Sequence, residues 1–425
     1  MQLVNLLNKQ EITNFEDALW NGLSKDGGLY YPKHIVPFTN NEVANFSELD
    51  FQAIALTVLS NWLDGEIPKQ ELKKIVDNAF NFDIPMVDVG PFKVLELFHG
   101  PTMAFKDVAA RFLAQCFEYY ATKRKKPVNI IVATSGDTGG AIADAFSGLK
   151  NVKVFILFPK GRVSELQYIQ LTKNIDNVEP LEIDGSFDEC QKLVKQALAD
   201  ATVSERLSSA NSINIGRLLP QSTYYSYVSS LIGSYEAVIP TGNLGNATAA
   251  LLAHEINFGP KHITLAVNGN DTLQRYYKSG NYEPKTSLHT FSNAMDVSNP
   301  NNFPRFIEPF EGNVQEFRKL VDVFSVDDVQ TVLTIKKVYS EFKYILDPHT
   351  AVAWRAAEES QNQLTKVIVS TASPVKFAKE IFSKTGIEVD GADTGINNSE
   401  ADSKKTQISA EYNELKSLLL KRCLK

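Results

Sequence analysis

Residues 95–107 (LELFHGPTMAFKD) contain Lys106, the lysine whose sequence context best suits covalent chemistry. The segment reads as a strand that ends in a Gly-Pro-Thr turn, after which Thr102 is the predicted N-cap of a helix. Lys106 then lies in the first helical turn, near the positive end of the helix dipole and between apolar neighbours, and both effects lower the pKa of its amine. Such an amine can form a Schiff base and move protons. Alternatively, Lys106 is an ordinary solvated lysine beside Asp107.

Two loops that follow predicted strands could bind anions. In residues 134–140 (TSGDTGG), hydroxyls and free N–H groups meet at a helix N-terminus, which suits a carboxylate or a phosphate. A tight turn with a well-capped helix is the alternative. In residues 241–246 (TGNLGN), two glycines let backbone N–H groups close around a phosphate. This second loop lacks the Gly-Lys-Ser/Thr of a Walker loop and the full GxGxxG fingerprint, so by itself it is also compatible with an ordinary turn.

Two further segments carry polar side chains that could contact a ligand. In residues 211–218 (NSINIGRL), Arg217 follows Asn214 by three positions. Arg217 could bind a phosphate through two hydrogen bonds, or it could belong to an ordinary loop with a surface ion pair. In residues 370–374 (STASP), the Thr371 hydroxyl is a neutral donor and acceptor that would leave a pyridine nitrogen unprotonated. It could also cap a helix, and the two roles do not exclude each other.

A repeated unit of apolar strand, small polar turn and helix must position these residues. Strands are predicted at residues 128–133, 152–158, 178–183, 237–240, 262–267 and 365–370. Apolar strands that alternate with helices indicate parallel sheets buried on both faces, which bind ligands at the carboxyl ends of their strands. The first ninety or so residues lack this unit and are helical and aromatic-rich, which indicates an added domain. Residues 391–405 predict a mobile polar stretch, followed by an amphipathic helix at about residues 409–421.

The composition of the 425-residue chain argues against several classes of function. A net charge of −7 disfavours nucleic-acid or anionic-membrane partners, and the basic run at residues 123–126 reads as a solvated helix end. No apolar stretch is long enough to cross a bilayer, and no signal peptide is expected. Three widely spaced cysteines fit a reducing compartment, so a cytoplasmic protein is expected. The six histidines form no HxxH or HExxH pair, which argues against a metal site.

Together these segments resemble the threonine synthases of the longer bacterial and fungal type, within the fold-type II pyridoxal phosphate (PLP) enzymes. The most specific element is residues 99–107 (HGPTMAFKD), the family's PLP-lysine motif, and residues 134–139, 211–214 and 292–298 match further motifs in the same order. The resemblance implies an α/β fold like that of tryptophan synthase β, with two doubly wound parallel-sheet domains and an added N-terminal helical domain. The implied division is residues 1–92 for the N-terminal domain, 93–125 and 205–390 for the large PLP-binding domain, 126–204 for a small mobile domain, and 391–425 for a C-terminal tail with a helix.

The resemblance also implies roles for individual residues. Lys106 would carry PLP and shuttle protons, Thr371 would face the pyridine nitrogen, and Asp137 would lie near the ring edge. The remaining implied PLP contacts are Phe105 and the backbone of the glycine loop, Gly242, Asn243, Leu244, Gly245 and Asn246. The implied substrate contacts are Thr134, Ser135 and Thr138 for the carboxylate, and Asn214 and Ser164 with Arg162 or Arg217 for the phosphate.

The activity that the resemblance implies is conversion of O-phospho-L-homoserine and water to L-threonine and phosphate. The route is γ-elimination followed by β-addition of water, which is the chemistry of a carbon–oxygen lyase. The enzyme is expected to be a monomer or a homodimer. Another fold-type II enzyme, such as a serine or threonine dehydratase or a cysteine synthase, would share the lysine and the glycine loop. A phosphometabolite-binding protein that lost its chemistry is the alternative from a different class.

Overall fold

Two largely parallel sheets organise the chain in the computed structural model, which describes residues 1–134, 136–205, 207–391 and 403–423. From edge to edge, the larger sheet contains β12 (Val321–Ser325), β11 (His262–Val267), β10 (Tyr235–Pro240), β13 (Thr365–Ser370), β5 (Phe92–Glu96) and β4 (Met86–Val89). All neighbours run parallel except β4, which pairs antiparallel with β5. Every residue of β10 and β11 is buried, as a sheet covered on both faces requires.

The smaller sheet is parallel throughout. From edge to edge it contains β14 (Thr406–Ser409), β8 (Val178–Asp184), β7 (Val152–Pro159), β6 (Val128–Ala133) and β9 (Leu207–Ser209). Its central strand β7 is almost entirely buried, and β6 is buried along its whole length. The two parallel sheets confirm the predicted fold class.

Helices connect the strands and cover both sheets. They are α5 (Lys106–Arg124), α6 (Asp137–Ala145), α7 (Glu165–Thr172), α8 (Phe187–Ala199), α9 (Ala201–Ser204), α10 (Leu219–Ile232), α11 (Gly245–Glu255), α12 (Thr272–Ser279), α13 (Phe303–Ile307), α14 (Val314–Leu320), α15 (Asp328–Phe342), α16 (Pro348–Glu359), α17 (Ala378–Thr385) and α18 (Tyr412–Arg422). Short 3₁₀ helices occupy Ile215–Arg217, Asn293–Met295, Glu308–Phe310 and Pro374–Phe377. Within the described ranges, no helix combines the length and apolar content needed to cross a membrane.

The N-terminal region is mostly helical, as predicted, and it also contains a small antiparallel sheet. Its helices are α1 (Phe15–Asn21), α2 (Asn40–Ala44), α3 (Phe51–Trp62) and α4 (Lys69–Ala79). Its sheet orders β2 (Ile12–Thr13), β1 (Leu3–Asn5) and β3 (Tyr30–Pro32). Strands of two or three residues are too short to show an alternating pattern, so the sequence did not indicate them. Helix α3 packs on α10, where the indole N–H of Trp62 donates to the Ser222 hydroxyl at 3.1 Å.

The C-terminal segment joins the smaller sheet. Strand β14 pairs with β8, and α18 packs against α8. The predicted final helix is present at Tyr412–Arg422, whereas β14 was not predicted because its sequence Thr-Gln-Ile-Ser has a single apolar residue. Most of the predicted mobile stretch, residues 392–402, lies outside the described residues. The chain passes between the two sheets after β5, after β9 and after β13, and the domain boundaries proposed from the sequence stay a prediction.

Candidate active site

A cavity of about 680 Å³ lies where loops from both sheets meet. Its walls include the turns that follow β6, β10 and β13, together with the start of α5. The predicted site residues on these walls are Phe105, Lys106, Thr134, Asp137, Thr138, Arg162, Ser164, Arg217, Gly242, Asn243, Leu244, Gly245, Asn246 and Thr371. Ser135 lies outside the described residues. The carboxyl ends of parallel strands thus bring together residues that are far apart in the sequence.

Lys106 is the first residue of α5, and its side chain lines the cavity. The predicted N-cap is wrong, because the cap position is Phe105, which makes no side-chain capping bond. Thr102 instead donates its backbone N–H, at 2.8 Å, and its hydroxyl to the Asp107 carboxylate. The backbone N–H of Phe105 donates to the carbonyl oxygen of Thr371 at 2.9 Å. The turn before Lys106 is therefore fixed both by its own helix and by the end of β13.

The surroundings of the Lys106 amine favour its neutral form. Burial lowers the pKa of Lys106; the charge of Asp137 opposes this effect, while Lys376 and Arg217 reinforce it. The Lys106 Nζ atom also lies 5.3 Å from the centre of the Phe105 ring. A lysine with a lowered pKa in a cavity is a candidate for covalent chemistry, because the neutral amine is the nucleophile. The sequence indicated the lowered pKa, but not the two neighbouring cations.

Asp137 forms a buried ion pair that the sequence did not predict. Its carboxylate accepts from the Lys376 ammonium at 2.8 Å, and the two side chains are 5% and 0% exposed. Gln167 donates its Nε2 to the same oxygen, Oδ1 of Asp137, at 2.9 Å. Burial alone would raise the pKa of Asp137, but Lys376 and Lys106 outweigh it and hold the pKa well below its usual range. Asp137 is therefore a fixed negative charge on the cavity wall near Lys106.

Lys376 lies in the 3₁₀ helix after β13, beyond the segment that the sequence singled out. Its ammonium also donates to the carbonyl oxygen of Thr102 at 2.8 Å and to Oε1 of Gln170 at 3.4 Å. Thr102 precedes α5 beside the larger sheet, whereas Asp137 and Gln170 belong to helices of the smaller sheet. Lys376 thus connects the two sheet regions at the cavity. The only sequence signal is a lysine inside the otherwise apolar turn Pro-Val-Lys-Phe.

The loop from Thr134 to α6 is built as a capped turn. The Thr134 hydroxyl accepts from the backbone N–H groups of Gly136, at 3.0 Å, and Gly139, at 2.9 Å. Gly136 has φ of 144°, and an added Cβ atom would lie 2.4 Å from the Gln167 side chain, so only glycine fits there. Thr138 lines the cavity in the first turn of α6. Both predicted features, a tight capped turn and a helix N-terminus facing a ligand cavity, occur in the same loop.

The glycine loop between β10 and α11 follows the cavity wall. Leu244 occupies the left-handed region, with φ of 60°, immediately before the helix. A Cβ atom added to Gly242 would lie 2.9 Å from the backbone Cα of Met295, so the loop depends on glycine at this position. At the start of α11, the Asn246 side chain is buried, and its Nδ2 atom has no hydrogen-bond partner among the residues that the structure describes. The loop thus presents a helix N-terminus and an unsatisfied donor to the cavity.

Arg217 and Asn214 differ in their relation to the cavity. Arg217 lines it and is buried; its Nη1 donates to the carbonyl oxygen of Ala210 at 2.7 Å, while its Nε has no partner within the described ranges of the chain. Asn214 is fully buried away from the described lining, and its Nδ2 donates to the carbonyl oxygens of Leu19 and Ser209 at 2.9 Å each. Its Oδ1 accepts from the Gly216 N–H. The structure therefore does not bring Asn214 to the cavity with the other predicted residues; its side chain caps the 3₁₀ turn that contains Arg217.

The remaining predicted contacts line the cavity from different elements of the fold. Ser164 caps α7, where its hydroxyl accepts from the Gln167 N–H at 3.3 Å, and the neighbouring Arg162 is exposed. Thr371 follows β13 next to the turn that precedes Lys106. An exposed arginine beside a helix N-terminus suits a doubly charged phosphate, and a neutral hydroxyl suits a neutral ring nitrogen.

Two cavity residues were not singled out from the sequence. His349 donates from Nδ1 to Asp347 at 2.7 Å, so its Nε2 accepts the Ala294 N–H at 3.2 Å. Asp296, which falls within the motif at residues 292–298, accepts from the backbone N–H and the hydroxyl of Thr290 at 3.0 and 2.7 Å. Burial raises the pKa of Asp296. Both residues hold the loop that covers Gly242.

Pyridoxal phosphate, the cofactor that the resemblance implies, fits this arrangement. Lys106 supplies an amine with a lowered pKa, and Thr371 supplies a neutral hydroxyl. The unpaired donors of Asn246 and Arg217 would each cost about 1–3 kcal/mol if left unsatisfied, and phosphate oxygens can accept from both. In the described part of the chain, no group of three or more His, Cys, Asp or Glu side chains could hold a metal ion.

Comparisons with known proteins match the whole chain to one family. Residues 91–373 match the family model of pyridoxal-phosphate dependent enzymes, and residues 7–80 match the threonine synthase N terminus. Threonine synthase of Escherichia coli K12 is 41% identical over 399 residues, which cover 92% of each chain. The crystal structure of threonine synthase from Escherichia coli matches with a TM-score of 0.92 at 38% identity, covering 99% of this chain and 100% of that chain. The X-ray structure of PLP-bound threonine synthase from Brucella melitensis matches with a TM-score of 0.93 at 32% identity, covering 100% of both chains.

Proposed function

Because the chain belongs to the threonine synthase family, we propose that it converts O-phospho-L-homoserine and water into L-threonine and phosphate with PLP as cofactor. The proposed reaction is γ-elimination of phosphate followed by addition of water at the β-carbon, the chemistry of a carbon–oxygen lyase. The observation that carries the proposal is the Lys106 amine, whose pKa is lowered by burial in the same cavity as an anion-binding loop. That combination serves a phosphorylated cofactor held covalently by a lysine.

Lys106 is proposed as the residue that holds PLP and moves protons. When bound, PLP supplies an electron sink that stabilises negative charge on the carbons of an amino acid. The Lys106 amine removes the α-proton and then assists proton transfer at the β-carbon, for which a lowered pKa is favourable. Asp137 keeps a negative charge near the amine, and Lys376 forms an ion pair with that carboxylate.

Separate parts of the cavity are proposed to bind the three charged groups. The backbone of Gly242–Asn246 with the Asn246 amide receives the PLP phosphate, while Phe105 and Asp137 flank the ring and Thr371 faces its nitrogen. The start of α6, with Thr134, Ser135 and Thr138, receives the substrate carboxylate. Arg162 and Ser164 at the start of α7 receive the substrate phosphate, and Arg217 adds a buried positive charge. Asn214 is left out because both of its Nδ2 hydrogens are donated to backbone carbonyl oxygens, those of Leu19 and Ser209, which leaves no amide hydrogen for a phosphate.

Substrate comparison tests this proposal directly. The PLP-loaded enzyme is expected to release threonine and phosphate in equal amounts from O-phosphohomoserine, and to release little keto acid from serine or threonine. An Arg162→Ala variant is expected to raise KM for O-phosphohomoserine by about tenfold or more, the usual effect of losing a charge-assisted hydrogen bond. Keto acid from serine as the main product would instead identify a dehydratase.

Three further properties belong to the same proposal. The small domain, residues 126–204, closes over the bound substrate and excludes water during elimination. Structures of the empty and the analogue-bound enzyme with the same angle between the two sheets would reject the closure. The enzyme acts in the cytoplasm, as a monomer or homodimer, and sedimentation of the PLP-loaded protein would distinguish the two assemblies.

A further inference from the structure

Two buried tyrosines donate to the same oxygen at the start of α11. The hydroxyls of Tyr224 and Tyr225 lie 2.5 and 2.7 Å from Oδ1 of Asn246, and all three side chains are at least 95% buried. The other end of the amide, Nδ2, is also buried, and in the described part of the chain it has no partner. Asn246 lines the cavity, so its unpaired Nδ2 group belongs to a residue that a ligand in the cavity could contact.

The tyrosine hydrogens decide which way the Asn246 amide points. If the amide were turned round, Nδ2 would donate to both hydroxyl oxygens, and each tyrosine hydrogen would then need another acceptor. Tyr224 has one within reach, Oε1 of Gln221 at 3.2 Å, but the described contacts of the Tyr225 hydroxyl include only Asn246. The reversed amide would therefore leave a buried hydroxyl hydrogen unsatisfied. The observed orientation, with Oδ1 toward the tyrosines, avoids this.

The orientation matters because a phosphate oxygen only accepts hydrogen bonds. An amide that presents Nδ2 adds a donor to the backbone N–H groups of the glycine loop, whereas an amide that presents Oδ1 repels the phosphate. We infer that Tyr224 and Tyr225 are positioning residues, which fix the Asn246 amide as a hydrogen-bond donor to the cofactor phosphate. The inference rests on the proposed placement of that phosphate at Gly242–Asn246. Both hydroxyls keep their hydrogens at working pH, since burial raises the pKa of Tyr224 and Tyr225 well above the usual range.

Comparison of PLP with pyridoxal, which lacks the phosphate, isolates this role. The full-length protein, stripped of cofactor, is titrated with each compound and followed by visible absorbance, for the wild type, Tyr224→Phe, Tyr225→Phe and the double variant. Each single variant is expected to lose roughly tenfold in PLP affinity and the double variant roughly a hundredfold, with pyridoxal affinity unchanged. The ³¹P resonance of PLP bound to the intact enzyme is expected to shift in the same variants.

Tyr235→Phe is the matched control. Its hydroxyl is equally buried but donates to the carbonyl oxygen of Tyr225 at 2.8 Å, so its removal leaves the Asn246 amide untouched. This variant is expected to keep the wild-type ratio of PLP to pyridoxal affinity. If the double variant does not fold, the two single variants are compared alone. Their affinity for pyridoxal shows whether the cavity is intact, so a selective loss of PLP affinity can still be recognised.

The outcomes separate the inference from the proposal beneath it. If the wild type prefers PLP over pyridoxal and the folded tyrosine variants keep this preference in full, the role of the tyrosines is wrong, but the proposed phosphate site remains supported. A wild type that binds PLP and pyridoxal equally overturns the phosphate site itself, and the inference with it. Loss of preference in the tyrosine variants and not in Tyr235→Phe supports both.

Discussion

The buried pair between Lys376 and Asp137 gives a stability prediction that can be worked from the structure. In Lys376→Met the chain keeps a side chain of similar length but loses the ammonium. The Asp137 carboxylate then remains 5% exposed with the Gln167 amide as its nearest remaining donor, and the Thr102 carbonyl loses a partner as well. Breaking a buried pair by removing one member costs about 3–5 kcal/mol, because the other charge stays buried and unpaired. We expect a loss of that size in the free energy of unfolding.

A double-mutant cycle distinguishes the ion pair from simple packing. Asp137→Asn alone leaves the Lys376 ammonium with two neutral acceptors and is also expected to be costly. The double variant Lys376→Met/Asp137→Asn removes both charges, so its loss should be smaller than that of either single variant. Urea unfolding followed by tryptophan fluorescence, at pH 7 and at lower pH, measures all four proteins.

The pH dependence of the cycle has a definite sign. The pKa of Asp137 is held below its ordinary value, so the stabilisation by Lys376 is present above that value and is lost as the pH falls through the folded pKa. The deficit of Lys376→Met should therefore shrink toward acid pH. A single variant that loses less than about 1 kcal/mol, or a double variant that loses the sum of the two single losses, would refute the reasoning.

Three other substitutions test separate parts of the account. Gly242→Ala should weaken PLP binding by about tenfold or more in an absorbance titration, because the new Cβ atom would lie 2.9 Å from the Met295 backbone; unchanged affinity would contradict the close contact. Burial raises the pKa of Asp107 to about 6 from 3.8. As the pH rises between these two values, the free energy of unfolding of the wild type should therefore fall by up to about 3 kcal/mol relative to that of Asp107→Asn. The same pH dependence of urea unfolding in both proteins would contradict this expectation. The buried guanidinium of Arg305 donates hydrogen bonds from three nitrogens, at 2.8–2.9 Å, to Tyr30, Asn302 and Ile213, which lie in separate segments of the chain. One ammonium cannot replace all three, so Arg305→Lys should lower the free energy of unfolding by about 3 kcal/mol. A loss under about 1 kcal/mol in urea unfolding would contradict this expectation.

Strands with several apolar residues between turn residues were predictable from the sequence. Residues 128–133, 262–267 and 365–370 form β6, β11 and β13 with the predicted bounds, and β6, β11 and the last four residues of β13 are buried. Strands β9 and β14 were missed. They have three and four residues with only one apolar side chain each, and pairing at a sheet edge holds them in place.

The site was predictable where local sequence determines it. Lys106 and the two loops after β6 and β10 belong to continuous motifs, and the structure brings them to one cavity. Lys376, by contrast, has only a weak local signal, because its burial depends on the carboxylate of Asp137, which lies on a helix of the smaller sheet. The position of Asn214 away from the cavity was not predictable for a related reason: a small polar residue in a loop is compatible with a ligand contact and with a cap, and its tertiary partners distinguish the two.

Turnover of O-phosphohomoserine in water enriched in ¹⁸O tests the central claim most directly, with Lys106→Ala as the comparison. The account predicts equal amounts of threonine and phosphate, with ¹⁸O in the threonine hydroxyl and none in the phosphate, because the carbon–oxygen bond breaks and water adds to the β-carbon. Lys106→Ala should give neither product. Phosphate that carries ¹⁸O together with homoserine, or full turnover by Lys106→Ala, would contradict the account.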